Sequence, residues 1–252
     1  MTSDIDAGIA DGVQTIRFAR PAKKNALTEA MYGALADAIE RGNRDSAVLA
    51  NVILGSKGVF CAGNDIGDFL KTAIGTGGKG REVFRFLSAL ARVAKPLIAG
   101  VDGVAVGIGT TMLFHCDLVY ATPAAQFSTP FVDLGIVPEA ASSLLMPARM
   151  GHARAFEMLG MGAVFDAERM CAAGLVNAIV PSSELEAKAQ GAARALAQKS
   201  PEALAMTRLL MRPDPAEIQK RIDIEAAAFS ERLKSPEARK AFEAFLSKRG
   251  DA

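Results

Sequence analysis

The chain of 252 residues has no tryptophan, two histidines and three cysteines. Cys61, Cys116 and Cys171 form no Cys-x-x-Cys pair and no Cys/His cluster with zinc spacing. A disulfide framework and a structural metal site are therefore not expected, and reduced thiols in a cytosol-like compartment are the default. Neither His115 nor His152 has a metal-site neighbour, and His115 inside LFHCDLV reads as a packed side chain. Net charge is equally scarce: 29 basic against 28 acidic residues leave +1, which speaks against a nucleic-acid binder or a membrane-surface protein. No apolar run reaches the length of a membrane span. The start, MTSDIDAGIADG, is acidic and lacks an apolar signal core, and the end, KRGDA, matches no targeting signal. These absences predict a soluble, cytoplasmic protein without nucleic-acid or membrane partners.

What is present is apolar sequence. Half of the residues are hydrophobic, enough for a sizeable core in one large domain or a core with an appendage. VQTIRFA (13–19), NVILG (51–55), PLIAGVDG (96–103), DLVYAT (117–122) and VNAIV (176–180) read as strands. Between the first two, Thr28 caps a helix in which Met31, Leu35 and Ile39 recur at helical spacing, with Gly42 after it. Val83, Phe86, Leu87 and Leu90 predict an amphipathic helix over 82–94. Alternating strands and helices define an α/β class.

Beyond Pro181 the strand signals stop. SPEA at 200–203 and 235–238, and DPAE at 214–217, each supply a side-chain cap, a proline at the first helical position and an early acid. The final 70 or so residues thus read as a helical appendage. GTGGKG (75–80) lacks the phosphate-binding pattern of strand, loop and Lys-Ser/Thr, and reads as a mobile loop beside a site.

Two glycine-bearing turns carry chemistry. GVFCAGNDI (58–66) follows a strand, and GVDGVAVGIG (100–109) ends at a helix start. Either is a packing turn on its own, or a place where backbone N–H groups meet negative charge. Together with RPAKKNALT, CDLVYATPAAQFSTPFVDLGIVPE, AAGLVNAIV and KAFEAFLSKR, in that order, these segments resemble the crotonase (enoyl-CoA hydratase/isomerase) superfamily over nearly the whole chain. The resemblance implies a spiral of ββα units over 1–195 and a helical trimerisation region over 196–252. It also implies an acyl-CoA thioester substrate, no separate cofactor, and a homotrimer or dimer of trimers. It places an oxyanion hole at the backbone N–H groups of Asn64 and Ile108. Two such donors stabilise an enolate, each worth about 3–4 kcal/mol.

The resemblance also says which acids are missing. Where hydratases of the family carry two glutamates, this chain has Thr111 and Phe131. Glu139, in DLGIVPEAASS, stands where the peroxisomal-type Δ3,Δ2-enoyl-CoA isomerases of the family carry their single acid. One carboxylate suffices to take a proton from C2 and return it to C4, and apolar neighbours such as Ile136 and Val137 strengthen it as a base. Read locally, Pro138-Glu139 is equally an ordinary helix start. Asp133 is the reserve polar group, and Asp68 reads as pocket-edge or solvated.

Arg20, Lys23 and Lys24 form a basic cluster that composition alone assigns to solvent. The resemblance assigns it to CoA, with Ala22, Ala62, Asp65 and Ile66 nearby and Phe245 and Lys248 reaching from a neighbouring subunit. Residues 66–82 are expected to line the acyl pocket. The sequence therefore points to an enoyl-CoA isomerase of fatty acid oxidation. Its alternatives are a hydratase or thioester hydrolase of the same family, or a silent CoA-binding protein.

Overall fold

The computed structural model describes residues 4–65, 67 and 80–250, with side chains as far as residue 244. Ile66 and Asp68, and all of 75–80 except Gly80, lie outside the described residues, as do the side chains of Phe245 and Lys248.

Long strands and short strands alternate along the chain. The long ones, β1 (Ile5–Ala10), β2 (Val13–Phe18), β3 (Ala50–Leu54), β5 (Leu97–Val101) and β7 (Leu118–Ala121), form one sheet in that order, closed at its far edge by the two-residue β10 (Ala178–Ile179). Only β1–β2 is antiparallel. The short ones, β4 (Val59–Cys61), β6 (Val104–Val106), β8 (Gln126–Ser128) and β9 (Phe165–Asp166), form a second, four-stranded sheet. Three times in succession a strand of the large sheet feeds a strand of the small one: β3 to β4, β5 to β6, β7 to β8. This is the winding of a crotonase-like spiral.

Every residue of β3 and β5 is buried, as expected of parallel strands covered on both faces. One face receives α1 (Glu29–Arg44) and α2 (Arg81–Ala91), whose Met31, Leu35, Ile39, Phe86 and Leu90 enter the main core. The other receives α7 (Ser182–Ala197) through Leu185, Ala189 and Ala193, packed on Val52, Leu54 and Ile98. The helical tail beyond Pro181 thus begins as a layer of the core rather than as an appendage. α8 (Pro201–Met211), α9 (Pro215–Leu233) and α10 (Pro236–Gly250) follow it. Ser200, Asp214 and Ser235 accept backbone N–H groups at their starts, at 3.4, 2.7 and 3.2 Å.

Gly42 lies inside α1 rather than after it. A Cβ there would stand 2.7 Å from both the Gln14 and Asn51 side-chain amides, which bond to each other beneath the helix. Its glycine marks a close approach, not a helix end.

Candidate active site

The small sheet brings the two glycine turns together. β4 and β6 are parallel neighbours, with Cys61 opposite Ala105, so the chain leaves both strands at the same end of the sheet. Asn64 and Ile108 each follow three residues later. The turns touch: a Cβ on Gly63 would meet the Val106 carbonyl at 3.1 Å, and one on Gly109 the Cys61 carbonyl at 2.5 Å. Ile108 opens α3 (Ile108–Thr111), so its N–H precedes the helix's own ladder. Asn64 forms a parallel bridge with Leu27, using the neighbouring Gly63 carbonyl and Asp65 N–H instead of its own N–H. Among the described residues neither the Asn64 nor the Ile108 N–H is donated.

Glu139 does not start a helix. A short 3-10 turn (Val132–Leu134) is followed by Gly135 at φ 70°, then by an irregular stretch carrying Ile136, Val137, Pro138 and Glu139. Ala140 and Ala141 follow at φ 60° and 54°, and only then does α4 (Ser142–Met150) begin. Two consecutive alanines in the left-handed region cost about 1–2 kcal/mol each, and something must hold them there. Glu139 is 7% exposed. Its Oε1 accepts a 3.0 Å hydrogen bond from Thr111 Oγ1, itself fully buried. Burial pushes the Glu139 carboxyl up to about 8; the Thr111 bond opposes this, and the charge of Glu225 adds to it.

A cavity of about 160 Å³ opens onto Glu139. Its polar lining includes Tyr32, Asn64 and Glu225, and its apolar wall is made by Val83, Phe84 and Leu87 of α2 with Ile222 and Phe229 of α9. Of the expected 66–82 wall, residues 67 and 80–82 fall among the described residues, and of these Gly80 lines the cavity. Tyr32 is buried and donates its hydroxyl to Asn64 Oδ1. Phe131 is buried in the core and carries no charge into the site.

Sequence reasoning missed Tyr32 and Glu225. Tyr32 sits among apolar helix positions, and Glu225 in IDIEAAAF looks like one more solvated helical acid. It also missed Asn25, a fully buried amide that donates to the Val59 and Phe60 carbonyls at 3.1 and 3.0 Å and accepts from Arg20 N–H at 2.9 Å.

The basic cluster divides. Lys23, Lys24 and Ala22 are exposed beside the first turn, tied to it by the Ala62 N–H, which donates to the Lys24 carbonyl at 3.0 Å. Arg20 is instead turned inward. It pairs with Asp65 at 2.7 Å and donates to the Ala26 carbonyl at 2.9 Å, so the structure gives both Arg20 and Asp65 internal partners. Asp133 is exposed on the 3-10 turn. No cluster of three or more metal-ligating side chains occurs among the described residues. No helix among them is long and apolar enough to cross a membrane.

The spiral, the paired turns and the buried Glu139 at the mouth of an apolar cavity describe a crotonase-type site. A model of the enoyl-CoA hydratase/isomerase family matches residues 8–251, and the chain belongs to that family. It is 33% identical over 262 residues to enoyl-CoA delta isomerase 3, peroxisomal, of Mus musculus, covering 100% of this chain and 80% of that protein. It is 37% identical over 210 residues to enoyl-CoA delta isomerase 2 of Rattus norvegicus, covering 82% of this chain but only 54% of that protein. The chain thus spans about half of the rat protein's length. A solved structure of Pseudomonas aeruginosa OdaA superposes with a TM-score of 0.92 at 42% identity, covering 97% of this chain and 99% of that one.

Proposed function

We propose that the chain is a Δ3,Δ2-enoyl-CoA isomerase that shifts a 3-enoyl-CoA double bond to the 2-trans position, a step of fatty acid oxidation. The observation that carries this reading is the buried carboxylate of Glu139, held at the cavity by the Thr111 hydroxyl, while the other buried carboxylate among the described residues, Glu225, is taken up by three backbone and hydroxyl donors. The thioester oxygen accepts from the Asn64 and Ile108 N–H groups. Glu139 takes a proton from C2, and the electron pair spreads over the dienolate onto the oxygen. Glu139 then returns the proton to C4, so that no water, redox partner or metal enters the balance. Val83, Phe84, Ile222 and Phe229 accommodate the acyl chain. Lys23 and Lys24 meet the CoA phosphates.

A hydratase or thioester hydrolase needs a second acid to hold water. Glu225 lines the same cavity, which is the observation favouring that reading. Its carboxylate already accepts three protein hydrogen bonds, however, which favours isomerisation. Assembly as a trimer, or a dimer of trimers, is supported by exposed apolar side chains on α8, where Met206, Leu209, Leu210 and Met211 are 65–82% exposed. Reduced Cys61 and Cys116 in the core fit a cytoplasmic enzyme.

The test is to supply a 3-enoyl-CoA and follow the absorbance of the conjugated 2-enoyl thioester. Glu139→Gln should lower its formation by about 10²–10⁴-fold. Release of free CoA, or formation of a 3-hydroxyacyl-CoA in place of the conjugated product, refutes isomerisation. Tight acyl-CoA binding with no product at all points to a silent binding protein.

A further inference from the structure

The Ala140–Ala141 peptide bond, one residue beyond Glu139, is gripped from both sides. Its carbonyl, that of Ala140, accepts a 2.8 Å hydrogen bond from Nε2 of His115, a buried residue at the end of the 3-10 turn Met112–His115. Because a carbonyl can only accept, Nε2 carries the proton. The N–H of the same peptide, that of Ala141, donates at 2.6 Å to Oε2 of Glu225 on α9. The other oxygen of Glu225 accepts from the Ser143 N–H at 2.9 Å and the Ser143 hydroxyl at 2.5 Å. The gripped peptide joins the two left-handed alanines, the strained turn that presents Glu139 to the cavity.

Glu225 is 6% exposed and separated by 84 positions from Ala141, so only the docking of α9 delivers it. Three donors occupy most of the roughly four lone-pair sites of a carboxylate. That arrangement suits a fixed acceptor and leaves little capacity for proton transfer to substrate.

We infer that Glu225 and His115 act as a clamp on the Ala140–Ala141 peptide and thereby position Glu139, making Glu225 a positioning residue supplied by the C-terminal helical region. The inference rests on Glu139 being the base. It gives α9 a role in catalysis besides its contribution to the acyl-chain wall.

Arg149 and Arg212 face His115, and the charged and titratable groups around Glu139 and Glu225 are few. Arg221 lies near Glu225 on α9, Tyr32 and Glu29 face in from α1, Cys61 lies on β4, and Asp65 is already paired with Arg20. Removing the Glu225 charge therefore takes away the acidic neighbour that opposes ionisation of Glu139.

The experiment compares Glu225→Gln, Glu225→Ala and Glu139→Gln with the unaltered chain, with kcat normalised to folded protein. Glu225→Ala should lower kcat about 100-fold, as small misplacements of a catalytic group do, with KM little changed. Glu225→Gln keeps one acceptor oxygen and should lose less. In it, the alkaline-rising limb of the pH–rate profile should move to lower pH. A carbon-13 NMR titration of the Glu139 carboxyl in the unliganded protein should move the same way and reads the charge coupling of the two acids without turnover, whereas the fall in kcat reads the clamp. Unchanged kcat per folded molecule in both Glu225 variants, measured at a pH where Glu139 is ionised, overturns the clamp whatever the titration does. If Glu225→Ala does not fold, the kcat of Glu225→Gln still decides. Full turnover by Glu139→Gln overturns the assignment of the base instead, a separate failure that the NMR titration distinguishes.

Discussion

Thr111 Oγ1 donates to Glu139 Oε1 over 3.0 Å, and both side chains are buried. The sequence resemblance sets this hydroxyl against a position that the family's hydratases fill with a glutamate. A carboxylate at that place would face Glu139 directly, and two such acids resist ionising together. A hydroxyl instead favours the ionised form of its partner, the form that a base requires.

Thr111→Val keeps the shape and deletes the donor. A hydrogen bond to a charged group is worth about 1.5–3 kcal/mol, so the loss should raise the Glu139 pKa above its present value of about 8. Isomerisation at pH 7 should fall at least about tenfold, while much of the rate returns at high pH, where Glu139 ionises. The pH–rate profile checks this: a uniform fall at every pH would mean that the Thr111 hydroxyl orients Glu139 without setting its ionisation.

Gly109→Ala tests the contact between the two turns. The added Cβ would lie 2.5 Å from the Cys61 carbonyl oxygen and 2.9 Å from its Cβ. Backbone cannot yield as a flexible side-chain end does, so the Ile108 turn must move away from the Asn64 turn. Loss of one oxyanion donor lowers kcat about 10²–10³-fold, and overpacking costs about 1–3 kcal/mol of stability. Gly191→Ala is the control. Nothing lies within 4 Å of its Cβ, in the middle of α7, and it should stabilise by about 0.5–1 kcal/mol without touching turnover. Parallel rate and thermal-unfolding measurements on the two variants separate site geometry from general glycine effects.

The large sheet was legible in the sequence because its parallel strands are apolar runs several residues long. The small sheet was not, since two- and three-residue strands such as Val59–Cys61 and Phe165–Asp166 are too short for any periodicity. β1, IDAGIA, carries Asp6 and Gly8, which argue locally against a strand. The motifs singled out Glu139, which the structure buries at the cavity, but the local reading of Pro138-Glu139 as a helix start failed. Alanines at 140 and 141 give no local sign of a left-handed turn, because tertiary bonds from His115 and Glu225 impose it. Glu225 and Tyr32 illustrate the same limit. Their sequence neighbours describe helices, whereas their burial follows from where those helices dock.

Burial of Glu139 also has a consequence for stability, with a definite sign. Its carboxyl titrates near 8 in the folded protein, against an ordinary value of 4.5. Between those values the folded chain keeps a proton that the unfolded chain has released, so stability falls as pH rises through this window. The full cost stands above pH 8 and is absent below 4.5. Glu139→Gln removes this titration while its amide oxygen still accepts from Thr111. Glu225 is also raised by burial, but it is present in both proteins and largely cancels from their difference. At 1.36 kcal/mol per pKa unit, the variant should gain up to about 5 kcal/mol relative to the unaltered chain at pH 9, and little at pH 4.5. Urea unfolding at the two pH values measures the gain. Equal stability of the two proteins at pH 9 would show that the Glu139 carboxylate is solvated in the folded state, and the buried, strengthened base would have to be abandoned.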